Sequence, residues 1–175
     1  MPQEKSPSEQ LASFIANFTP EIAALAHSIL AIMRKRYPTA QELVYDNYNA
    51  LAIGFSPTER ASDGIFSIAL YPKWISLFFL QARGLPDPEK LLKGSGNVAR
   101  HIVLPTAAAL NQPAIRALML EAESRAKVPF DPNGKYHLII KSISAKQRPR
   151  RPIEKSRAHL QPAPGKQRSF SPIEN

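Results

Sequence analysis

The sequence predicts an α+β fold, in which an N-terminal helical hairpin and later helices pack on an antiparallel β-sheet of about five strands. Apolar residues recur at helical spacing in residues 6–36 and 112–122, and at alternate positions in residues 43–80. The alternating stretches are joined by segments of hairpin length, and no glycine-rich turn links a strand to a long helix. These observations favour an antiparallel sheet with helices on its faces over a doubly wound nucleotide-binding fold.

Two helices are predicted at the start of the chain. Residues 6–9 (SPSE) form a capping box with proline at the first helical position, and residues 19–21 (TPE) repeat this start signal. The second helix ends in the three cations of residues 34–36, which suit a helix C-terminus, before Pro38 stops it. The short connection between the two helices predicts a helical hairpin.

The sheet is predicted to begin with four strands, in residues 43–48, 49–55, 65–71 and 74–80. Residues 74–80 are apolar at every position but one, as expected of a central strand that is covered on both faces. The remaining predicted elements are a short inserted helix over residues 88–93 that is capped by Asp87 and Gly94, a strand over residues 100–104, a C-terminal helix that begins at Pro113, and a weakly alternating strand over residues 136–143.

The distribution of charge divides the chain into a domain and a tail. The whole chain carries a formal net charge of +9. Residues 1–145 hold 15 Lys and Arg against 12 Asp and Glu, a net of +3, whereas residues 146–175 hold 8 against 2, a net of +6. The second stretch is rich in proline and has no apolar periodicity, which predicts a disordered basic tail after a domain that ends at residue 145. Because the tail holds most of the positive charge, the fold itself is not predicted to read nucleic acid.

Composition excludes several classes of site. The chain has no cysteine, so it has no disulfide, thiolate metal site or cysteine nucleophile. No apolar run approaches the ~20 residues of a membrane span and the N-terminus has no signal-peptide core, so we expect a cytoplasmic protein without a membrane partner. None of the four histidines has a paired metal-binding spacing, and neither a G-x-S-x-G elbow nor a carboxylate pair indicates a catalytic residue.

Several motifs resemble those of the YdhG-like family, a domain of unknown function. They are ELVY at residues 42–45, YPKWISLFFL at 71–80, GLP at 84–86, LLKGSGNVARHI at 91–102, and residues 139–152, which are similar to an extension found in one branch of the family. The resemblance covers roughly residues 8–126 and implies a compact α+β domain with a curved antiparallel sheet. It also implies iron as a cargo, because one branch has been linked to iron delivery in the manner of a frataxin.

The better candidate for a binding site is a face of small side chains on the predicted sheet. Small side chains on a sheet either leave room for a ligand or let a helix approach closely, and the helical hairpin needs a face to cover, which favours helix packing. The small residues are Ala50, Ala52 and Gly54 on one strand, Ser67 and Ala69 on the next and Ser76 on a third, with Tyr45, Tyr48, Tyr71 and Trp74 near the rim.

A second candidate site is the loop of residues 94–97 (GSGN) with Lys93, Arg100 and His101 beside it. Backbone amides of such a loop form anion nests, and the neighbouring cations would add positive charge. The alternative is a helix C-cap followed by a strand. That alternative is favoured, because no long helix follows the glycines.

These features predict a non-enzymatic domain that binds a small ligand or a protein partner in a groove of the sheet. One alternative is the iron-binding chaperone that the resemblance implies, although the acidic residues are scattered and iron requires clustered ligands. The other is non-specific nucleic-acid binding by the basic tail, in which no aromatic residues interleave with the charges for base stacking.

Overall fold

A computed structural model describes residues 1–153, which form three α-helices and one six-stranded sheet. The predicted α+β class is confirmed, and the sheet has one strand more than the predicted number. No helix in this part of the chain is long and apolar enough to cross a bilayer. The elements are α1 (Pro7–Ala16), α2 (Pro20–Arg36), β1 (Gln41–Asp46), β2 (Leu51–Ser56), β3 (Phe66–Leu70), β4 (Ile75–Phe79), β5 (Arg100–Val103), α3 (Pro113–Ser124) and β6 (His137–Ile143), with short 3₁₀ turns at Ala61–Asp63 and Ala107–Asn111.

The sheet is mixed and not wholly antiparallel. Its strand order is β5-β4-β3-β2-β1-β6, and each pair from β5 to β1 is antiparallel. The chain then passes through α3 and returns at the far edge, where β6 pairs with β1 in parallel. A parallel pair needs a long connection of this kind, because its two strands run in the same direction.

The predicted helix starts are present in the structure. The Ser6 amide donates to the Glu9 carboxylate at 2.7 Å, and the Ser6 hydroxyl accepts from the Glu9 amide at 3.3 Å. The Thr19 hydroxyl accepts from the amide of Ile22 at 3.3 Å, which caps α2. These side chains satisfy amides that have no partner within their own helix, and they mark where each of the two helices begins.

The hydrophobic core lies on one face of the sheet. Directly paired residues share a face, so the register places one apolar row across five strands. That row consists of Val44, Ile53, Ile68, Leu77 and Ile102. All three helices bury their apolar sides in the same core cluster as this row. The helical layer therefore covers one face of the sheet, and no helix packs on the other face within residues 1–153.

The predicted helix over residues 88–93 is wrong, because the chain makes only one turn there. The two carboxylate oxygens of Asp87 accept from the amides of Leu91 and Leu92, each at 2.9 Å, so the predicted cap residue does bind the following amides. Lys90 then adopts a φ of +53°, outside the helical region, and Lys93 pairs with His101 as an isolated β-bridge. The backbone amide and carbonyl of Lys93 therefore bond to His101 of the edge strand and not within a helix.

The predicted basic tail begins at residue 146, and its first part lies against the domain. The Arg148 amide donates to the Tyr48 carbonyl at 2.9 Å, and the Arg150 guanidinium donates to the Asp46 carboxylate at 2.8 Å. Arg151 Nε donates to the Asn17 carbonyl at 3.3 Å. Residues 146–153, which we call the strap, therefore connect the sheet edge to the end of α1. The predicted disorder of residues 154–175 lies outside the described residues.

Candidate functional site

The face of the sheet opposite the helices carries the predicted small residues. Ala52 pairs with Ala69 and Ala69 with Ser76, while Gly54 pairs with Ser67 in the next row. Ala69 lies outside the core cluster in which the helices are packed. The prediction that a helix covers this face is therefore wrong for residues 1–153. The helices pack instead on the face of large side chains, where they bury more apolar surface.

This open face forms a groove of about 530 Å³ between the β1–β2 turn and the β3–β4 turn, which we call the sheet groove. The small side chains of Ala52 and Ser67 line it together with three aromatic residues, Tyr48, Tyr71 and Phe78. Phe78 projects from β4 on this face and lies against the ring of His101, with centroids 5.0 Å apart. β4 is thus covered by helices on one side only, in contrast to the prediction of a strand covered on both faces.

A second groove, of about 690 Å³, continues from the sheet groove, and we call it the corner groove. Asn49 and Tyr71 line both grooves. On one side of the corner groove Trp74 stacks on Tyr71, with ring centroids 4.8 Å apart and an interplanar angle of 20°. The strap forms the other side through Arg148 and Arg151. The two grooves are therefore one continuous surface with aromatic and cationic side chains.

Most of the predicted rim residues lie at this surface. Tyr48, Ser67 and Tyr71 line the sheet groove and Trp74 lines the corner groove. Tyr45 pairs with Ala52 and Ser76 pairs with Ala69, so both flank the floor of small residues. The hydroxyl oxygens of Tyr45 and Ser76 are buried and have no hydrogen-bond partner within the described structure. Burial raises the pKa of the Tyr45 phenol, and likewise that of the Tyr71 phenol.

The second predicted cluster does not come together in one place. Arg100 and His101 are consecutive in β5, and consecutive strand residues point to opposite faces. Only His101 lies on the same sheet face as the groove, where its ring contacts that of Phe78. Arg100 Nη2 donates to the Gly94 carbonyl at 3.3 Å, and the backbone of Lys93 pairs with that of His101. The edge strand therefore uses Lys93 and Arg100 largely to hold the 94–97 loop.

The sequence prediction missed Arg148, Arg151 and Phe78 as site residues. Phe78 belongs to a strand that was expected to be covered on both faces. The two arginines were assigned to a disordered tail on composition alone. A signal was present in the weak alternation of residues 136–143, since a final strand carries the chain to the edge from which the strap starts. This final strand, β6, pairs with β1, and no local sequence pattern predicts that pairing.

A separate groove of about 450 Å³ lies between α1, α2 and β6. At its base the Arg34 guanidinium makes two hydrogen bonds to the Glu42 carboxylate, at 2.7 and 2.8 Å. Glu42 is completely buried, and the ion pair strengthens both hydrogen bonds. Burial and the neighbouring Glu42 carboxylate raise the pKa of the Tyr136 phenol. This cluster joins α2 to β1, so we assign it a role in the stability of the fold and not in ligand binding.

Another polar cluster surrounds Tyr37 at the end of α2. The Tyr37 hydroxyl donates to the Glu123 carboxylate at 2.5 Å, and its ring stacks on Phe130 with centroids 5.0 Å apart. Burial, followed by the hydrogen bond to Glu123, raises the pKa of the Tyr37 phenol well above its usual range. The hydroxyl is therefore a fixed donor that joins α2 to α3.

The raised pKa of Tyr37 predicts a loss of stability in alkali. An unfolded phenol ionises near pH 10, whereas the buried phenol stays neutral, so stability is complete below about pH 10 and falls as the pH rises further. Tyr37 contributes up to ~1.4 kcal/mol per pH unit, and Tyr136, which is 41% exposed, contributes less. Urea unfolding between pH 7 and about 11 measures this slope. Tyr37→Phe should reduce the slope; an equal slope in the wild type and this variant would contradict the assignment.

Comparison with known proteins adds no relative, because the chain matches no protein-family model, no curated protein and no solved structure. The resemblance to the YdhG-like family stays a prediction. Within residues 1–153, no three His, Asp or Glu side chains are close enough together to hold a metal ion.

Proposed function

We propose that this chain is a YdhG-like binding domain that holds a small ligand in the sheet groove. The observation that supports this proposal is the open sheet face, where small side chains form a floor between aromatic residues. The groove volume of about 530 Å³ lies within the roughly 300–1,000 Å³ that is typical of small-molecule sites. That size favours a small ligand over a protein partner.

The chemistry of the lining supports binding rather than catalysis. The side chains that face the sheet groove are apolar, aromatic, hydroxyl and amide groups. Aromatic faces and amides suit a flat ligand with polar edges, because rings stack on it while amides bond its rim. The hydroxyls of Ser67 and Ser144 in the same lining add polar groups for hydrogen bonds to a ligand.

Filling the groove tests this proposal. Ala52 is half-buried in the lining, so Ala52→Leu should occupy the space above the floor while leaving the core face of β2 unchanged. The probe is anilinonaphthalene sulfonate, a flat aromatic anion whose fluorescence rises in apolar sites. We expect the wild-type protein to enhance its fluorescence, and Ala52→Leu to weaken its binding several-fold with an unchanged melting temperature.

The matched control is Ala31→Leu, which adds the same side chain to the exposed side of α2. It should leave binding of the dye unchanged. If Ala52→Leu binds the dye as tightly as the wild type, the sheet groove is not the site. Native mass spectrometry of the protein purified from its own cells would then identify any natural ligand that remains bound to the wild type and is lost from Ala52→Leu.

A further inference from the structure

We propose that the ligand is a planar base next to a phosphate, presented by a single-stranded nucleic acid or by a free nucleotide. In this arrangement the base stacks on the exposed aromatic residues of the corner groove, and the phosphate is bound by the cations on its two sides. The proposal names the ligand class for the proposed function and rests on it, because the corner groove and the sheet groove share Asn49 and Tyr71.

The stacking surface is preformed by the turn between β3 and β4. Trp74 is 44% exposed although one side of its ring system stacks on Tyr71. The Tyr71 amide donates to the Trp74 carbonyl at 2.9 Å, which fixes the turn that carries both rings. A base that stacks on Trp74 would therefore extend an existing stack and lose little side-chain entropy on the protein side.

A second stacking position lies where the two grooves meet. Tyr48 is 48% exposed, and the guanidinium carbon of Arg148 lies 5.5 Å from the centroid of its ring. A guanidinium plane on an aromatic ring is itself a surface on which bases stack, and its remaining N–H groups bind phosphate. The exposed amides of Asn47 and Asn49 line the sheet groove, Asn49 lines the corner groove as well, and both match the donors and acceptors of base edges.

The charge of the corner groove selects an anion. Lys73, Arg148 and Arg151 line it, and among residues 1–153 its lining contains no Asp or Glu. Arg150, which lies between the two arginines in sequence, is turned inward and neutralises the nearest buried carboxylate, that of Asp46. Lys73 and Arg148 form no ion pair with a carboxylate of residues 1–153, so their charges can serve a ligand. Aromatic rings select the base and cations select the phosphate, so the combination indicates a nucleotide unit.

The fold also places aromatic side chains next to the basic residues at the start of the tail. In the sequence, no aromatic residues interleave with the basic residues of the tail. In the structure, the strap brings Arg148 to Tyr48 and places Arg151 in the same groove as Trp74. Base stacking and phosphate binding therefore come from segments that are distant in sequence and adjacent in space.

The test uses the full chain with two probes. The first is a fluorescein-labelled single strand of about 10 nucleotides and mixed sequence, followed by anisotropy at several salt concentrations. The second is a set of mononucleotides, followed by quenching of Trp74, which is the one tryptophan of the chain. We expect Trp74→Leu to weaken binding of the strand about tenfold or more. Trp74→Phe, which keeps a ring, should retain most of the affinity.

The charge variants separate phosphate contacts from stacking. Arg148→Ala should weaken binding and lower the slope of log affinity against log salt by about 0.7, as expected for one lost contact to a single strand. Arg60→Ala removes an exposed cation from the β2–β3 connection and should leave both quantities unchanged. Melting temperatures of all variants check that the fold is intact.

The probes also separate the two sources of the ligand. Quenching by mononucleotides supports a free nucleotide, and binding of the strand alone supports a nucleic acid. Full affinity of Trp74→Leu for the strand, or no response to either probe, overturns the proposal. If the dye still binds and Ala52→Leu still weakens it, only the ligand class fails. If the dye gives no groove-dependent signal either, the proposed function fails as well.

Discussion

Replacing Arg150 with alanine should lower the free energy of unfolding by about 3 kcal/mol, the lower end of the loss seen when one partner of a buried ion pair is removed. The Arg150 and Asp46 side chains are each only 6% exposed, and Arg150 Nη2 donates to the carboxylate at 2.8 Å and to the Asn47 carbonyl at 2.6 Å. The variant leaves the Asp46 carboxylate buried without a cation. For a domain of this size the change corresponds to a melting temperature lower by about 6–12 °C.

The reference for this measurement is Arg151→Ala, one residue further along the strap. Arg151 is exposed, so its loss should change the unfolding free energy by no more than about 0.5 kcal/mol. The double variant Asp46→Asn/Arg150→Met removes both charges and should be more stable than Arg150→Ala, since no unpaired charge stays buried. Equal denaturation curves for Arg150→Ala and Arg151→Ala would show that the ion pair does not hold the strap.

The strap also links this stability to ligand binding. Arg150 holds the strap at the end of β1, and the same strap carries Arg148 and Arg151 into the corner groove. Release of the strap should therefore weaken binding of the single-stranded probe even though Arg150 faces away from the groove. Trp74→Leu removes the stacking surface without touching the ion pair. The two variants should thus differ in stability while both bind the probe weakly.

Local sequence signals predicted most elements of the fold but not how the sheet is completed. The capping residues Ser6 and Thr19 mark helix starts through contacts within a few residues, and the alternating residues of β2 and β3 need only the adjacent hairpin. The pairing of β6 with β1 joins residues more than 90 positions apart in sequence, as with Gln41 and His137. No short-range pattern contains that information. The same limitation explains why the strap was predicted to be disordered.

The site was predictable to a similar degree. The Tyr71–Trp74 corner and the small residues of β2 and β3 follow from alternation and turn chemistry, and both lie at the grooves. Whether the small-residue face is open depended on which face the helices choose. The helices pack on the face that buries the larger side chains, such as Phe55 and Phe66. Which face that is depends on the total apolar area of each face, and no single residue determines it.

Replacing Arg34 with alanine should lower the free energy of unfolding by roughly 2–3 kcal/mol, somewhat less than a fully buried ion pair would lose. The Glu42 side chain is 0% exposed, whereas the Arg34 side chain is 39% exposed. Removal of Arg34 leaves a buried carboxylate next to a newly opened path for water, and partial hydration limits the loss. Equilibrium unfolding in urea, followed by circular dichroism, measures the change.

The geometry further predicts that the two partners are unequal. Glu42→Gln leaves the cation, which water already reaches, and the amide keeps an acceptor for Arg34, so the loss should be about 1 kcal/mol. Lys35→Ala, on the exposed side of the same helix turn, should have almost no effect. If Glu42→Gln is as destabilising as Arg34→Ala, the hydrogen bonds themselves make the main contribution to the free energy of unfolding. If Arg34→Ala is the more destabilising of the two, the main contribution of the pair is that the cation of Arg34 compensates the buried charge of Glu42. A half-exposed arginine next to a fully buried glutamate has this effect.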